Sequence, residues 1–123
     1  MSNRQMHLIG LMNGGPATHH NGAWRHPDSD VDQVLDYERY ETLARIYEEG
    51  LFDGVFFVES HLPGFGTDQV DTIRHGGMLS LLDPIQVLTA MARVTKHLGL
   101  SATMSTTFYP RTSSLVPSAR WTR

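Results

Sequence analysis

The side chains in this sequence that could do chemistry follow hydrophobic runs. Asn13, His19, His20, Trp24 and Arg25 come after MHLIGLM, Glu59, Ser60 and His61 come after VFFV, and Ser105, Thr106, Thr107 and Tyr109 come after LGLSATM. His19 and His20 are adjacent, so their side chains diverge in an extended loop. A shared metal would need further ligands that the later sequence does not supply, and no metal is expected. Ser60 and His61 are neighbours in the chain with no strained elbow around the serine, which argues against nucleophilic catalysis. Glu59 closes an apolar run, where an acid is either solvated at a mouth or paired with the donors of a ligand. The hydroxyls of Ser105, Thr106 and Thr107 can satisfy strand-end backbone groups or serve a polar ligand. Trp24 and Arg25 suit either a cation–π packing pair or a ligand contact.

The hydrophobic pattern indicates what must position these groups. Met6 to Met12 reads as a strand buried on both faces and ended by NGGP. Val31, Val34, Leu35, Leu43, Ile46 and Tyr47 fall at helical spacing. They predict an amphipathic helix from Val31 to Glu49, with Asp28, Ser29 or Asp30 as N-cap and Gly50 as the stop. Val55 to Val58 is a second strand expected to be covered on both faces. His61 to Leu82 reads as a long excursion with room for one short helical turn, and loops of that length are usually functional or disordered. In DPIQVLTAMARVTKHLG, Asp83 is the N-cap, Pro84 the first helical residue and Gly99 the stop. LSATMSTTFY is the third strand.

Helices between consecutive strands imply parallel pairing through crossovers. In such α/β architectures the chemistry sits at the carboxyl ends of the strands, where the polar groups above fall. Three parallel strands do not make a domain, and a (β/α)8 barrel takes roughly 250 residues. The 123 residues therefore read as the first three strand–helix units of something larger.

Composition narrows the classes. The chain is 40% hydrophobic and 19% charged with a formal net charge of −3, which gives no basic field for nucleic acid or an anionic membrane. It has no cysteine, which excludes disulfides and thiolate sites. The apolar stretch near Met6 is too short for a signal core or a membrane span, so a cytoplasmic location is expected. Gly76 and Gly77 lack the lysine and the strand–turn–helix context of a phosphate loop.

Together, MHLIGLMNGG, HHNGAWRHPDSD, YETLARIYEEGLFDGVFFVES and DPIQVLTAMARVTKHLGLSATMSTTFYP resemble the N-terminal part of the flavin-dependent monooxygenases of the bacterial luciferase-like superfamily. The nearest branch contains nitrilotriacetate monooxygenase component A and dibenzothiophene-sulfone monooxygenase. The similarity runs from about Met6 to Pro110. It implies a TIM (β/α)8 barrel, here incomplete, and reduced FMN delivered by a separate NAD(P)H-dependent flavin reductase. With O2 as co-substrate, a small organic molecule is oxygenated, and full-length members are expected to be homo-oligomers. The cofactor supplies the hard chemistry and the protein orients it. By resemblance, Glu59 stands where the family commonly has Asp, near the flavin, and Ser105, Thr106 and Thr107 match the segment against the isoalloxazine ring. His19 and His20 are the catalytic candidates, with Trp24 and His61 at the substrate mouth. The family's phosphate-binding groups come from later strands. Oxygenation needs the complete barrel, so the chain alone is expected to be inactive; the alternative is a non-catalytic half-barrel interaction module. A metal-dependent barrel hydrolase is disfavoured by adjacent rather than alternating histidines.

From Arg111 to Arg123 the sequence is Ser, Thr, Arg and Pro with no hydrophobic period. Permitted codons for RTSSLVPSARWT, read from the third base, encode Tyr-Leu-Leu-Ala-Arg-Ala-Phe-Gly-Thr-Leu-Asp, a sequence that suits the family's next helix. The reading is a partial barrel domain over 1–110 and a non-native or disordered tail over 111–123, produced by a one-base frameshift after Pro110; a natural short tail is the alternative.

Overall fold

The computed structural model describes residues 5–15, 22–59, 69–74 and 81–105. Three strands, β1 (Ile9–Asn13), β2 (Gly54–Val58) and β3 (Gly99–Ala102), form one parallel sheet in the order β1-β2-β3. Ile9 is level with Gly54 and Asn13 with Val58, while Gly54 is level with Gly99 and Phe57 with Ala102. The crossovers contain the helices α1 (Tyr37–Glu49) and α3 (Pro84–Val94). The short α2 (Gln69–Arg74) lies in the long excursion, as the one helical turn expected there. The parallel α/β pairing read from the sequence is therefore present.

The core lies between the helices and one sheet face. Tyr40 and Ala44 of α1, Val87 and Met91 of α3, and Met12, Val55 and Phe57 of the sheet are buried together, joined by Leu98 just before β3. The Tyr40 and Phe57 rings meet at 6.1 Å between centroids, and the Tyr40 hydroxyl donates to the carbonyl of Val34 at 2.7 Å, so its polar end is satisfied. Burying Phe57 contributes about 2–3 kcal/mol on area alone. Between the helices, the largely buried Glu41 carboxylate receives Arg93 at 2.5 Å and lies 3.6 Å from Arg45.

The helix bounds differ from the sequence reading. Val31–Gln33 is a separate 3-10 turn, and α1 is capped by Asp36, whose carboxylate accepts the N–H of Glu38 at 3.0 Å. Asp30 does not cap, because Arg39 engages both its oxygens. That hydrogen bond holds the Asp30 carboxyl below its ordinary value. At the other end, Gly50 is the cap but the left-handed residue is Leu51, with φ of 58°. Leu51 N–H donates to Glu48 and Phe52 N–H to Tyr47, and the Tyr47 and Phe52 rings meet edge to face at 4.9 Å. This is a Schellman ending with its usual apolar contact, built on leucine where glycine is the common choice. For α3 the Asp83 cap and Pro84 start hold, with Asp83 accepting from Ile85 N–H at 2.7 Å. The helix ends at Val94, since Thr95 is extended, and Gly99 opens β3 rather than stopping the helix.

The strand bounds shift as well. β1 begins at Ile9, not Met6, because Leu8 is tied to Asp53 on both sides. Leu8 N–H donates to the Asp53 carboxylate at 2.8 Å, while its carbonyl accepts Asp53 N–H at 3.0 Å. His7 Nδ1 stands 2.9 Å from the same carboxylate and, with the Leu8 N–H, holds the Asp53 carboxyl below its ordinary value. β3 is shorter than LSATMSTTFY and ends at Ala102. Every residue of β2 is buried or half-buried, as expected of a strand covered on both faces. β1 differs among the described residues, since Ile9 and Leu11 on the face away from the helices are 58% and 55% exposed.

Candidate functional site

The parallel register brings the three strand ends to one edge, so residues from distant parts of the chain become neighbours there. At the end of β1, Asn13 Oδ1 accepts the N–H of Gly15 at 2.8 Å, an Asx turn that directs the chain away from the sheet. Gly14 is buried beneath this turn, and a Cβ there would stand 3.1 Å from the Phe57 ring. Its carbonyl accepts the N–H of Leu81 at 2.9 Å, which ties the approach to α3 to the first strand end.

The ends of β2 and β3 are clasped to each other. Thr103 N–H donates to the carbonyl of Phe57 at 3.0 Å, extending the ladder one residue past β3. Thr103 Oγ1 accepts the N–H of Glu59 at 2.7 Å. The Glu59 carboxylate in turn accepts the N–H of Ser105 at 3.3 Å. Glu59 is thus half-buried and held from both sides. The resulting rim offers an amide, a carboxylate and hydroxyls, a set suited to hydrogen bonding with a polar ligand edge.

Of the residues singled out in the sequence, the structure brings Glu59 and Ser105 together. Trp24 lies in a 3-10 turn, Ala23–Arg25, with the Arg25 guanidinium 4.8 Å from its ring centroid. The cation–π packing pair is therefore formed, and it is local. His19, His20, His61, Thr106 and Thr107 lie outside the described residues. Sequence reading passed over Thr103, whose signal was its place at the same register level as Asn13 and Val58, legible only once pairing is known. Among the described residues no group of three or more His, Asp or Glu side chains could hold a metal ion, and no helix is long and apolar enough to cross a membrane.

The fold and strand-end rim are those of a segment of a parallel α/β protein, and comparison with known proteins gives the class. The chain is 43% identical over 111 residues to dibenzothiophene-sulfone monooxygenase of Rhodococcus erythropolis (strain XP), covering 87% of this chain and 24% of that protein. It is 33% identical over 112 residues to nitrilotriacetate monooxygenase component A of Aminobacter aminovorans, again 87% of this chain and 24% of the relative. The crystal structure of long-chain alkane monooxygenase (LadA) superposes with a TM-score of 0.74 at 25% identity, over 83% of this chain and 24% of that one. No family model matches. Over the span it matches, the chain belongs to the luciferase-like monooxygenases. It spans about a quarter of the length of the relatives it matches.

Proposed function

We propose that residues 1–110 are the cofactor-side segment of a flavin-dependent monooxygenase barrel that oxygenates a small organic substrate. The observation that carries this reading is the variety of the relatives. Proteins named for dibenzothiophene sulfone, nitrilotriacetate and a long-chain alkane share this one segment. What they hold in common is oxygenation, so the segment serves the shared chemistry and the rest of the barrel selects the substrate. Reduced FMN, supplied by an NAD(P)H-dependent flavin reductase, would deliver one atom of O2 to substrate while the other leaves as water. The residues present fit such a group. Asn13, Glu59, Thr103 and Ser105 form a hydrogen-bonding rim at the strand ends, and Glu59 is oriented before any ligand arrives. The roles of His19, His20, Trp24, His61, Thr106 and Thr107 at the mouth and ring belong to the same proposal.

The test is a chimera. Residues 1–110 replace the matched quarter of dibenzothiophene-sulfone monooxygenase, and oxygenation is assayed with a flavin reductase. Flavin-dependent turnover of the parent's substrate is expected, and a folded chimera that binds no reduced FMN would sink the reading. The second reading, a half-barrel interaction module, is favoured by the exposure of Ile9 and Leu11 on the β1 face away from the helices. Residues 111–123 stand outside the segment in either case. Sequencing the gene decides their origin, since the frameshift reading requires an adjacent frame that continues into a strand–helix pattern.

A further inference from the structure

The pairing of β2 with β3 changes character at Thr103. Phe57 is level with Ala102, so Val58 is level with Thr103. The Thr103 N–H makes the regular ladder bond, to the carbonyl of Phe57 at 3.0 Å. The next bond of a parallel ladder would run from the Glu59 N–H to the Thr103 carbonyl. Glu59 N–H finds its acceptor in the Thr103 side chain, at 2.7 Å from Oγ1, and the hydroxyl in turn donates toward the Phe57 carbonyl at 3.5 Å. A side chain thus takes the place of the main chain in the ladder. Beyond this point the Ser105 N–H reaches the Glu59 carboxylate at 3.3 Å. We infer that Thr103 is a positioning residue for reduced FMN: on the flavin reading above, it acts through the Glu59 carboxylate.

A glutamate carboxylate sits at the end of a flexible side chain, whose rotamer freedom is lost when a ligand fixes it. Here part of that loss is met before binding. The Thr103 hydroxyl holds the Glu59 peptide, and the Ser105 N–H holds carboxylate oxygen Oε2. Both contacts require the segment after β3 to keep one place beside the end of β2, and the hydroxyl does this by accepting from Glu59 and donating toward Phe57. Valine has the shape of threonine and can make neither bond, whereas serine can make both. The position therefore calls for a hydroxyl rather than for a side-chain volume. A purely structural Thr103 would matter equally with or without the Glu59 carboxylate, while a positioning Thr103 needs that carboxylate to act through.

In the full chain, hydrogen exchange is measured at the Ser105 amide, which donates to Glu59. Thr103→Val should speed this exchange at least about threefold, and Thr103→Ser should keep it near the parent rate. Reduced FMN is then titrated anaerobically into the fused chimera described above, with bound and free flavin separated by ultrafiltration. Thr103→Val should raise the dissociation constant about three- to tenfold, the range that one hydrogen bond supplies, and Thr103→Ser should return it to within about twofold of the parent. In a Glu59→Ala background, which keeps the backbone bond to Thr103 and removes the carboxylate, Thr103→Val should change the constant no further. Circular dichroism melts confirm that each variant is folded at the titration temperature, and Thr103→Ala carries the same test where Thr103→Val does not fold. Unchanged affinity in Thr103→Val, an equal loss with and without the Glu59 carboxylate, or a Ser105 amide indifferent to the substitution overturns the inference and leaves the flavin function standing. A folded, unmutated chimera that takes up no reduced FMN overturns both.

Discussion

Glu59 and Thr103 are bonded across the strand ends, with the Glu59 N–H donating to Thr103 Oγ1 at 2.7 Å. The return contact, Ser105 N–H to the Glu59 carboxylate at 3.3 Å, makes this a two-way clasp between segments more than forty residues apart. Thr103→Val keeps the shape of the side chain and removes the acceptor. Stability should fall by about 1 kcal/mol or less, since the bond is exposed. Hydrogen exchange is the sharper readout: the amide of Glu59 should exchange faster while those of Val55 and Phe57 do not.

Gly10 lies under the Tyr47 ring. A Cβ at position 10 would stand 2.4 Å from a ring carbon of Tyr47, so a larger residue there must displace that ring. Gly10→Val should cost about 1–3 kcal/mol as an overpacking change. The same substitution in a Tyr47→Ala background should cost less, and a double-mutant cycle in urea measures the difference. Additive losses would remove Tyr47 as the cause.

The Glu48 carboxylate accepts three successive backbone N–H groups, from Lys96, His97 and Leu98. It thereby fastens the end of α1 to the turn entering β3. Bonds from His97 and Lys96 hold its carboxyl below the ordinary 4.5. A carboxylate whose folded pKa is depressed contributes stability in full above the unfolded value and loses it as pH falls through the folded one. Thermal midpoints should therefore drop below about pH 4.5, with the depressed Asp30 and Asp53 adding to the decline below 3.8. Glu48→Gln should be less stable at neutral pH and approach the parent in acid. Parallel pH curves for the two proteins would refute the linkage.

Leu51 holds a left-handed φ of 58° and is 84% exposed. Its side chain therefore gives little packing in return for the backbone cost. Leu51→Gly should stabilise by about 0.5–1 kcal/mol, the left-handed penalty less the extra chain entropy of glycine. The denaturation midpoint should rise with no change in slope.

Much of the fold was legible because local signals and tertiary demands agreed. Asp83 and Pro84 announce α3, and the VFFV run announces β2, because capping and burial act over a few neighbouring residues. The misplacements have non-local causes. Asp30 looked like a cap for α1, but Arg39 nine residues on claims it, and Asp36 caps instead. Leu8 looked like strand, but Asp53, forty-five residues away, fixes where pairing begins. In the candidate site, Glu59 and Ser105 were marked by following apolar runs, whereas Thr103 gained its place only through register.

The sequence by itself determined the residue types at the strand ends, the two main helices and the likeness to the luciferase-like monooxygenases, because caps, periodicity and joint motifs are written along the chain. Tertiary structure decided that Glu59, Thr103 and Ser105 meet, that Tyr47 lies over Gly10, and that Ile9 and Leu11 of β1 point away from the described core. Each of these depends on which residues stand level across parallel strands, and a one-residue slip would send every side chain to the other face.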